Sequence, residues 1–241
     1  LSDGEGGSDT ADLVITVDPV NDAPVASGTI ADQSDDDAGV VAGVATSSFF
    51  SDIDGDVLGY SASGLPAGLS IDPVTGVISG TIDNSASQGG PASDGVYSVT
   101  VTADDGNGGT VDQTFTWTVA NPAPVANDDA ASTDEDVAVS GNVIGSGGAG
   151  DVADSDADGD VLSVTTFVVA GDPATYNAGD TATIAGVGTV LLASDGSYTF
   201  TPDADWNGTV PAITYTLSDG EGGSDTADLV ITVDPVNDAP V

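Results

Sequence analysis

The sequence predicts an all-β protein built from tandem β-sandwiches that short, proline-containing linkers join. Apolar and polar residues alternate in nearly every segment between turns, which is the pattern of half-buried strands. Glycine, aspartate and proline interrupt the chain at short intervals, as tight turns require. Residues 1–25 recur unchanged as residues 217–241, so we expect the sequence to be a window of a repeat array.

Each copy of the repeated stretch has the pattern of a turn, a strand and a linker. In the first copy, residues 3–7 (DGEGG) are typical of a hairpin turn, and residues 11–17 (ADLVITV) carry apolar side chains at alternate positions. Residues 18–24 (DPVNDAP) contain two prolines and several oxygen ligands. We therefore assign residues 1–20 to the last hairpin and last strand of a preceding repeat.

The first complete unit is predicted to span residues 21–120. Its expected strands are residues 43–49, 57–63, 69–71, 76–79, 96–103 and 109–119, with a tight turn at residues 73–76. Seven or so short strands in about 100 residues indicate a two-sheet sandwich. A second unit, residues 121–241, opens with the proline-stiffened link NPAP. We expect Trp117 and Trp206 to belong to the two cores.

The charge of the chain is extreme, because 40 residues are acidic and none is Lys, Arg or His. No side-chain salt bridge can form, so cations must relieve the repulsion. Two like charges about 4 Å apart repel by about 1 kcal/mol in water. Screening by monovalent salt is one answer. The clustering of aspartate with glycine and asparagine in turns favours bound calcium, which prefers oxygen ligands.

Composition also argues against several classes of function. A chain without a cationic face is poorly suited to nucleic acid or anionic membranes, and no apolar run is long enough to cross a bilayer. The absence of cysteine excludes disulfides, and the absence of lysine excludes Lys–Asn crosslinks. Without His, Lys, Cys or Arg the usual catalytic groups are missing, and no carboxylate pair stands out in an aromatic cleft. We expect no enzyme.

Two aspartate-rich loops are the strongest candidates for metal binding. Residues 52–56 (DIDGD) and 154–160 (DSDADGD) each precede an apolar strand. Alternate aspartates on an extended loop direct their oxygens to one side, and the glycine permits the turn that closes them around an ion. The second loop starts like an EF-hand, but Thr165 stands where the bidentate Glu is needed and no helices flank it, so we reject an EF-hand. A solvated acidic turn is the alternative.

Longer motifs in both units resemble known families. Residues 50–81, which contain FSDIDGDVLGYSASGLPAGLSIDPVTGVISG, resemble the dystroglycan-type cadherin-like and "Putative Ig" domains of bacterial surface proteins, although Ile82 replaces the usual proline. The motifs VANDD, TDED, DSDADGDVL, DGSYTFTP, WNG and YTLSDG of residues 125–220 resemble the tandem cadherin-like repeats of giant RTX-type adhesins. Both resemblances imply immunoglobulin-like, cadherin-like β-sandwiches.

An immunoglobulin-like strand order would bring the incoming linker, the aspartate loop and the last hairpin together at one end of each sandwich. The candidate calcium ligands are then Asn21, Asp22, Asp52, Asp54, Asp56, Asp105 and Asn107 in the first unit, and Asn121, Asp128, Asp154, Asp156, Asp158, Asp160, Asp219 and Glu221 in the second. The first linker resembles the cadherin signature. The second lacks the linker aspartate, so its calcium is expected to be weaker or to lie wholly within the second unit.

The resemblance implies calcium-stiffened structural extender repeats of a large extracellular bacterial adhesin, at the cell surface or in a secreted matrix, with neighbouring repeats as partners. One alternative is a subunit of a polymerised surface or biofilm-matrix fibre, in which residues 1–20 complete a neighbour's sheet. A lectin-like module is the other, and it would need an exposed aromatic shelf beside a calcium ion.

Overall fold

A computed structural model describes residues 5–6, 9–146 and 150–237. Within these ranges the chain forms two consecutive β-units and contains no α-helix. The predicted turn at residues 3–7 lies mostly outside the described residues, as do residues 238–241 of the second copy.

The first unit contains nine strands and two short 3-10 helices. The strands are β1 (Val25–Ala26), β2 (Gln33–Asp36), β3 (Val40–Ala45), β4 (Phe50–Ser51), β5 (Gly59–Ser63), β6 (Leu69–Ile71), β7 (Val77–Thr81), β8 (Val96–Asp104) and β9 (Thr110–Ala120), and the helices are Ser47–Phe49 and Ala86–Gln88. One sheet has the order β2-β9-β8-β5, a second has the order β3-β7-β6, and β1 pairs with β4. The predicted two-sheet sandwich is confirmed.

Alternation along β8 and β9 builds the core of this unit. Val99, Val101 and Ala103 on β8 have no exposed surface, and their neighbours in sequence point outward. The predicted core position of Trp117 on β9 is also confirmed, since its side chain is fully buried. Its indole N–H donates to the carboxylate of Asp35 at 3.0 Å, which satisfies the polar end of the ring.

The second unit contains ten strands. They are β10 (Asp129–Asp134), β11 (Val139–Asn142), β12 (Ser163–Val169), β13 (Thr175–Asn177), β14 (Thr181–Ile184), β15 (Gly188–Leu192), β16 (Ser197–Pro202), β17 (Gly208–Thr209), β18 (Ile213–Ser218) and β19 (Ser224–Asp234). One sheet has the order β10-β19-β18-β12-β13, with β17 on β19, and the facing sheet has the order β11-β16-β15-β14. Phe167, Phe200 and Tyr215 fill the space between them, and Trp206 packs partly buried against this core.

In both units the first long strand runs parallel to the last. β2 pairs with β9 and β10 pairs with β19, although β2 was not predicted. The residue after each first strand donates its N–H to the last residue of the final strand: Asp37 to Ala120, and Glu135 to Asp234, each at 2.9 Å. This pairing carries Asp37 to the end of the first unit where the link to the second unit begins.

The two copies of the repeated sequence adopt different structures. In β19 the alternate residues Leu229 and Ile231 are fully buried. The equivalent Leu13 and Ile15 are 83% and 74% exposed, and residues 11–17 belong to no strand. The strand predicted for residues 11–17 is therefore absent from the structure. The second copy forms β19 because β10, β17 and β18 pair with it, whereas the described residues contain no strand that pairs with the first copy.

Candidate metal centre between the two units

The two aspartate loops fold into the same hydrogen-bonded turn. Oδ1 of Asp156 accepts the N–H groups of Asp158 at 3.1 Å and Asp160 at 3.3 Å. Oδ1 of Asp52 likewise accepts the N–H groups two and four residues later, at 2.8 and 3.3 Å. The glycine between the second and third aspartates has a φ of +79° or +89°, which other residues rarely adopt. The second carboxylate oxygen of the first aspartate, Oδ2 of Asp52 or of Asp156, is buried without a hydrogen-bond partner.

The last hairpin of each unit supplies a buried carboxylate that ties down the linker. Asp105 and Asp219 are only 5% and 4% exposed, and Oδ1 of each accepts two backbone N–H groups of its own turn. Oδ2 accepts the side-chain amide of a linker asparagine, Asn21 at 2.9 Å or Asn121 at 2.8 Å. The hydrogen bonds that Asp105 accepts, that of Asn21 above all, lower its pKa.

The first cluster lies at the linker end of the first unit. Asp52, Asp56 and Asp105 each place a carboxylate oxygen within 4.8 Å of the others. The amide of Asn107 donates to Asp56 at 2.8 Å. The structure brings together the seven residues predicted for this end, namely Asn21, Asp22, Asp52, Asp54, Asp56, Asp105 and Asn107.

The second cluster lies where the second unit meets the first. Asp156, Asp158 and Asp160 place carboxylate oxygens within 4.8 Å of one another. Seven buried side-chain oxygens here have no hydrogen-bond partner: Oδ2 of Asp37, Oδ1 of Asn121, Oδ2 of Asp156, both carboxylate oxygens of Asp158, Oδ2 of Asp160 and Oε2 of Glu221. Buried polar atoms are nearly always paired, and a cation placed among these acceptors would satisfy several of them at once.

Asp37, which the sequence analysis missed, belongs to this cluster from the other unit. Its side chain is 4% exposed, with Oδ1 accepting the N–H of Ser87 at 2.9 Å and Oδ2 unpartnered. A second contact crosses the junction, where the amide of Gln88 donates to the carbonyl of Glu221 at 3.0 Å. Residues 35–37 are three consecutive aspartates, which could have suggested a cation site. Their position at the junction follows only from the pairing of β2 with β9.

Crowding of negative charge shifts the pKa values of this cluster. Burial, together with the neighbouring Asp156 and Asp160, raises the pKa of Asp158 to about 7. Burial also raises the pKa of Glu221, and the charges of Asp160 and Asp37 raise it further. Because these groups resist ionisation in one another's presence, a divalent cation would replace protons and relieve the repulsion directly.

The donor set suits calcium. Calcium takes six to eight oxygen ligands at about 2.3–2.6 Å, so ligands on opposite sides of the ion lie about 5 Å apart. The carboxylate oxygens of Asp156, Asp158 and Asp160 are close enough to one another to share a single ion. The unpartnered atoms of the junction are all oxygens, from carboxylates and one amide, and they come from both units.

Two predicted ligands lie elsewhere. Asp128 is exposed and accepts the N–H of Asp228 at 2.9 Å. Asp154 accepts the N–H of Asn127 at 2.8 Å and lies 3.3 Å from the hydroxyl of Tyr215. The structure therefore does not bring Asp128 and Asp154 to the cluster of Asp156.

The second unit also holds an acidic pair, the buried Asp129 and the half-buried Asp154. Asp129 is 2% exposed, and its carboxylate accepts the N–H of Val152 at 2.7 Å and the hydroxyl of Tyr215 at 3.2 Å. Burial raises the pKa of Asp129 to about 6 and also raises the pKa of Asp154. These two carboxylates support the fold of the second unit and do not face the junction oxygens.

The facing sheets of each unit define tandem immunoglobulin-like β-sandwiches. Comparison with family models finds one match for each unit: residues 121–235 match the model of "Bacterial cadherin-like domain", and residues 23–120 match that of "Putative Ig domain". The resemblance stated from the motifs is confirmed at this level. A search of curated proteins finds no match.

Solved structures with related folds include cadherins. Drosophila N-cadherin EC1-4 is 17% identical over 89% of this chain and 50% of that one, with a TM-score of 0.39. Human protocadherin-24 EC1-2 is 18% identical over 90% of this chain and 100% of that one, with a TM-score of 0.37. An endo-fucoidan hydrolase of glycoside hydrolase family 107 is 19% identical over 92% of this chain, with a TM-score of 0.38, and the chain covers only 30% of its length.

In the described part of the chain, none of the helices has the length and hydrophobicity that a membrane crossing demands. Cadherin-like domains are of the adhesion type, which supports an extracellular structural or adhesive role in general.

Proposed function

We propose that the chain is a calcium-stiffened extender segment of a large extracellular bacterial adhesin. Calcium binds between adjacent sandwiches and fixes their relative orientation. The observation that carries this proposal is the set of seven buried, unpartnered oxygens to which both units contribute. A site built only from the second unit would bind an ion without joining the units. Because Asp37 belongs to the first unit, an ion that it shares with the second unit holds the two units together.

The energetic argument rests on charge burial. An uncompensated buried carboxylate is costly, and the junction holds several. Calcium both neutralises them and supplies the missing partner for each oxygen. At free calcium about one hundred times the dissociation constant, binding stabilises the docked arrangement by about 2.7 kcal/mol. Extracellular calcium is millimolar, so stiffening would follow secretion.

The first cluster would work in the same way with a preceding repeat. It repeats the aspartate loop, the hairpin carboxylate and the linker asparagine, but only Oδ2 of Asp52 is both buried and unpartnered there. We assign residues 9–20 to the last strand of that preceding sandwich, since the identical residues of β19 are a last strand. The preceding unit would then supply the counterpart of Asp37.

The composition supports a mechanical role over an enzymatic one. The chain has no Lys, Arg, His or Cys, and the acidic clusters lie beside the linker asparagines that open each unit. Partners in this scheme are the neighbouring repeats. Nucleic acids and anionic membranes are disfavoured because the net charge is −40.

Small-angle scattering of the full chain tests the proposal. Calcium should reduce interdomain flexibility and move the maximum dimension to that of a fixed two-unit rod, because ions dock the units. Sodium chloride at matched ionic strength controls for general screening, and Asp158→Asn is the variant control, since Asp158 contributes two of the unpartnered oxygens. An equal response to calcium and to sodium would refute the stiffening mechanism.

The exposed first copy supports a second candidate function, a subunit of a polymerised fibre. Its apolar side chains, Leu13 and Ile15 among them, are exposed and could complete the sheet of a second molecule. Threads whose length grows with protein concentration would favour assembly. Particles of constant mass at all concentrations would favour the extender.

A further inference from the structure

The hairpin between β8 and β9 carries an asparagine followed by glycine at its tip. Asn107 is exposed, and Gly108 has a φ of +107°. A Cβ placed on Gly108 would meet no atom within 4 Å, so no neighbouring group covers this side of the hairpin tip. The same loop contributes Asp105 to the first acidic cluster.

We propose that Asn107 is a site of spontaneous deamidation that adds a carboxylate to this cluster. The backbone nitrogen of Gly108 attacks Cγ of Asn107, a nitrogen–Cγ bond forms, and the side-chain nitrogen leaves as ammonia with the proton from Gly108. Water then opens the cyclic imide. Cleavage of the nitrogen–Cγ bond gives aspartate, and cleavage at the main-chain carbonyl gives isoaspartate. Water is the only co-reactant.

Other asparagines of the chain provide internal comparisons. Asn207 also precedes a glycine and is also exposed, and its amide donates to Glu135 at 3.1 Å, so the two sites differ in the backbone of the glycine that follows. Gly208 lies in β17, paired with β19, and the ring of Trp206 lies 3.5 Å from the position of a Cβ. This backbone cannot rotate freely into the attacking geometry, so Asn207 is expected to react far more slowly than Asn107.

The second unit already has an acid at the equivalent position. Oδ1 of Asp105 accepts the N–H of Asn107 at 2.7 Å, and Oδ1 of Asp219 accepts the N–H of Glu221 at 2.8 Å. Asn107 and Glu221 therefore occupy the same place in the two hairpins. Deamidation gives the first cluster the charge pattern of the second. This consequence rests on the proposed calcium function, whereas the chemical step does not.

The charge change acts on a named contact. The amide of Asn107 donates to Oδ2 of Asp56 at 2.8 Å. After deamidation a carboxylate would face that oxygen, so the donor is lost and repulsion replaces attraction unless a cation lies between them. The aspartate form should bind calcium more tightly than the asparagine form, by about tenfold, because ligand charge sets calcium affinity.

Mass spectrometry of the full chain tests the chemical step. The protein is incubated at mildly alkaline pH with a chelator and then fragmented along the chain, since trypsin has no cleavage site here. We expect the amide of Asn107 to be converted to the acid well before that of Asn207. In the variant N107Q we expect no conversion at position 107. Absence of conversion at Asn107, or equal conversion at Asn207, would overturn the proposal.

Calorimetric titration of N107D with calcium tests the consequence. We expect about tenfold tighter binding at one site than in the unmodified chain, with N207D as a matched control that leaves the affinity unchanged. Conversion at Asn107 with no affinity change in N107D would overturn the charge-pattern role alone. Failure of both proteins to bind calcium would overturn the proposed function and leave the deamidation result standing.

Discussion

Replacement of Asp37 by asparagine isolates the part of the junction that the first unit supplies. Asn retains an oxygen to accept the N–H of Ser87, so the local backbone should not change. It removes one negative charge and replaces the unpartnered Oδ2 with a donor that repels a cation. The variant therefore changes calcium affinity while leaving the fold of the first unit intact.

The magnitude follows from the charge that is lost. A unit charge pair about 4 Å apart contributes about 1 kcal/mol in water, so a doubly charged ion loses about 2 kcal/mol, or about thirtyfold in affinity. Partial burial of the junction makes this a lower bound. Burial raises the pKa of Glu221, and the charges of Asp160 and Asp37 raise it further. The repulsion between Asp37 and Glu221 exists with and without calcium, so it largely cancels in the affinity difference.

The assay is calorimetric titration of the full chain with calcium. An Asp52→Asn background weakens the first cluster, so that the junction between the units dominates the signal. Asp36→Asn is the matched control, because Asp36 is the exposed neighbour on β2 and its loss changes the net charge equally. Equal affinities for the Asp37 and Asp36 variants would refute the claim that the first unit ligates the ion.

Three further predictions follow from the same geometry. The pKa of Asp158 is raised to about 7, so calcium binding near neutral pH should displace protons from the site. The calcium affinity should therefore fall about tenfold between about pH 8 and pH 6. Titration calorimetry in buffers of different ionisation enthalpy measures this proton release, and binding heats that do not depend on the buffer would contradict it. The pKa of Asp129 is raised to about 6 in the folded chain, so its contribution favours folding below the ordinary value of 3.8 and is lost as pH rises through about 6. Asp129→Asn should therefore gain about 3 kcal/mol relative to the native chain on going from acid to neutral pH, measured by unfolding in a chelator, and parallel pH profiles would refute it. Leu13 and Leu229 are equivalent positions of the two identical copies, but only Leu229 is buried. Denaturant unfolding should show a loss of stability of about 2–5 kcal/mol for Leu229→Ala and of under about 0.5 kcal/mol for Leu13→Ala. Similar losses would show that residues 9–20 are packed.

Local patterns predicted the sandwiches and the turns. Alternation identified β8 and β9 because their side chains divide between core and solvent along the whole strand. The polar segment QSDD of β2 has no such pattern, and it is a strand only because it lies along the edge of β9. Pairing between distant segments, which composition does not encode, is what the sequence analysis lacked.

The same distinction separates the predicted from the missed ligands. The loop containing Asp156 was predicted because its geometry is local. Asp154 lies just outside that loop, where a bridge between Val125 and Ser155 turns its side chain toward the second unit's interior. Asp37 reaches the junction only through the pairing of β2, so no spacing rule within the sequence could place it beside Glu221.

The two copies of residues 1–25 show how far tertiary context decides structure. The first copy is exposed along residues 11–17, while the second forms a fully paired strand from the same letters. Intrinsic β-propensity is equal in both, so the difference comes from the neighbours that β19 has in β10 and β18. The prediction of a strand in the first copy required a sheet that the described residues do not supply.

Anomalous diffraction from crystals of the full chain grown in millimolar calcium tests the central claim most directly. The account predicts an ion at the junction, held by oxygens of Asp156, Asp158 and Asp160 from one unit and by Oδ2 of Asp37 from the other. Density for an ion with Asp37 turned away, or a junction without an ion and with its carboxylates spread apart, would contradict it.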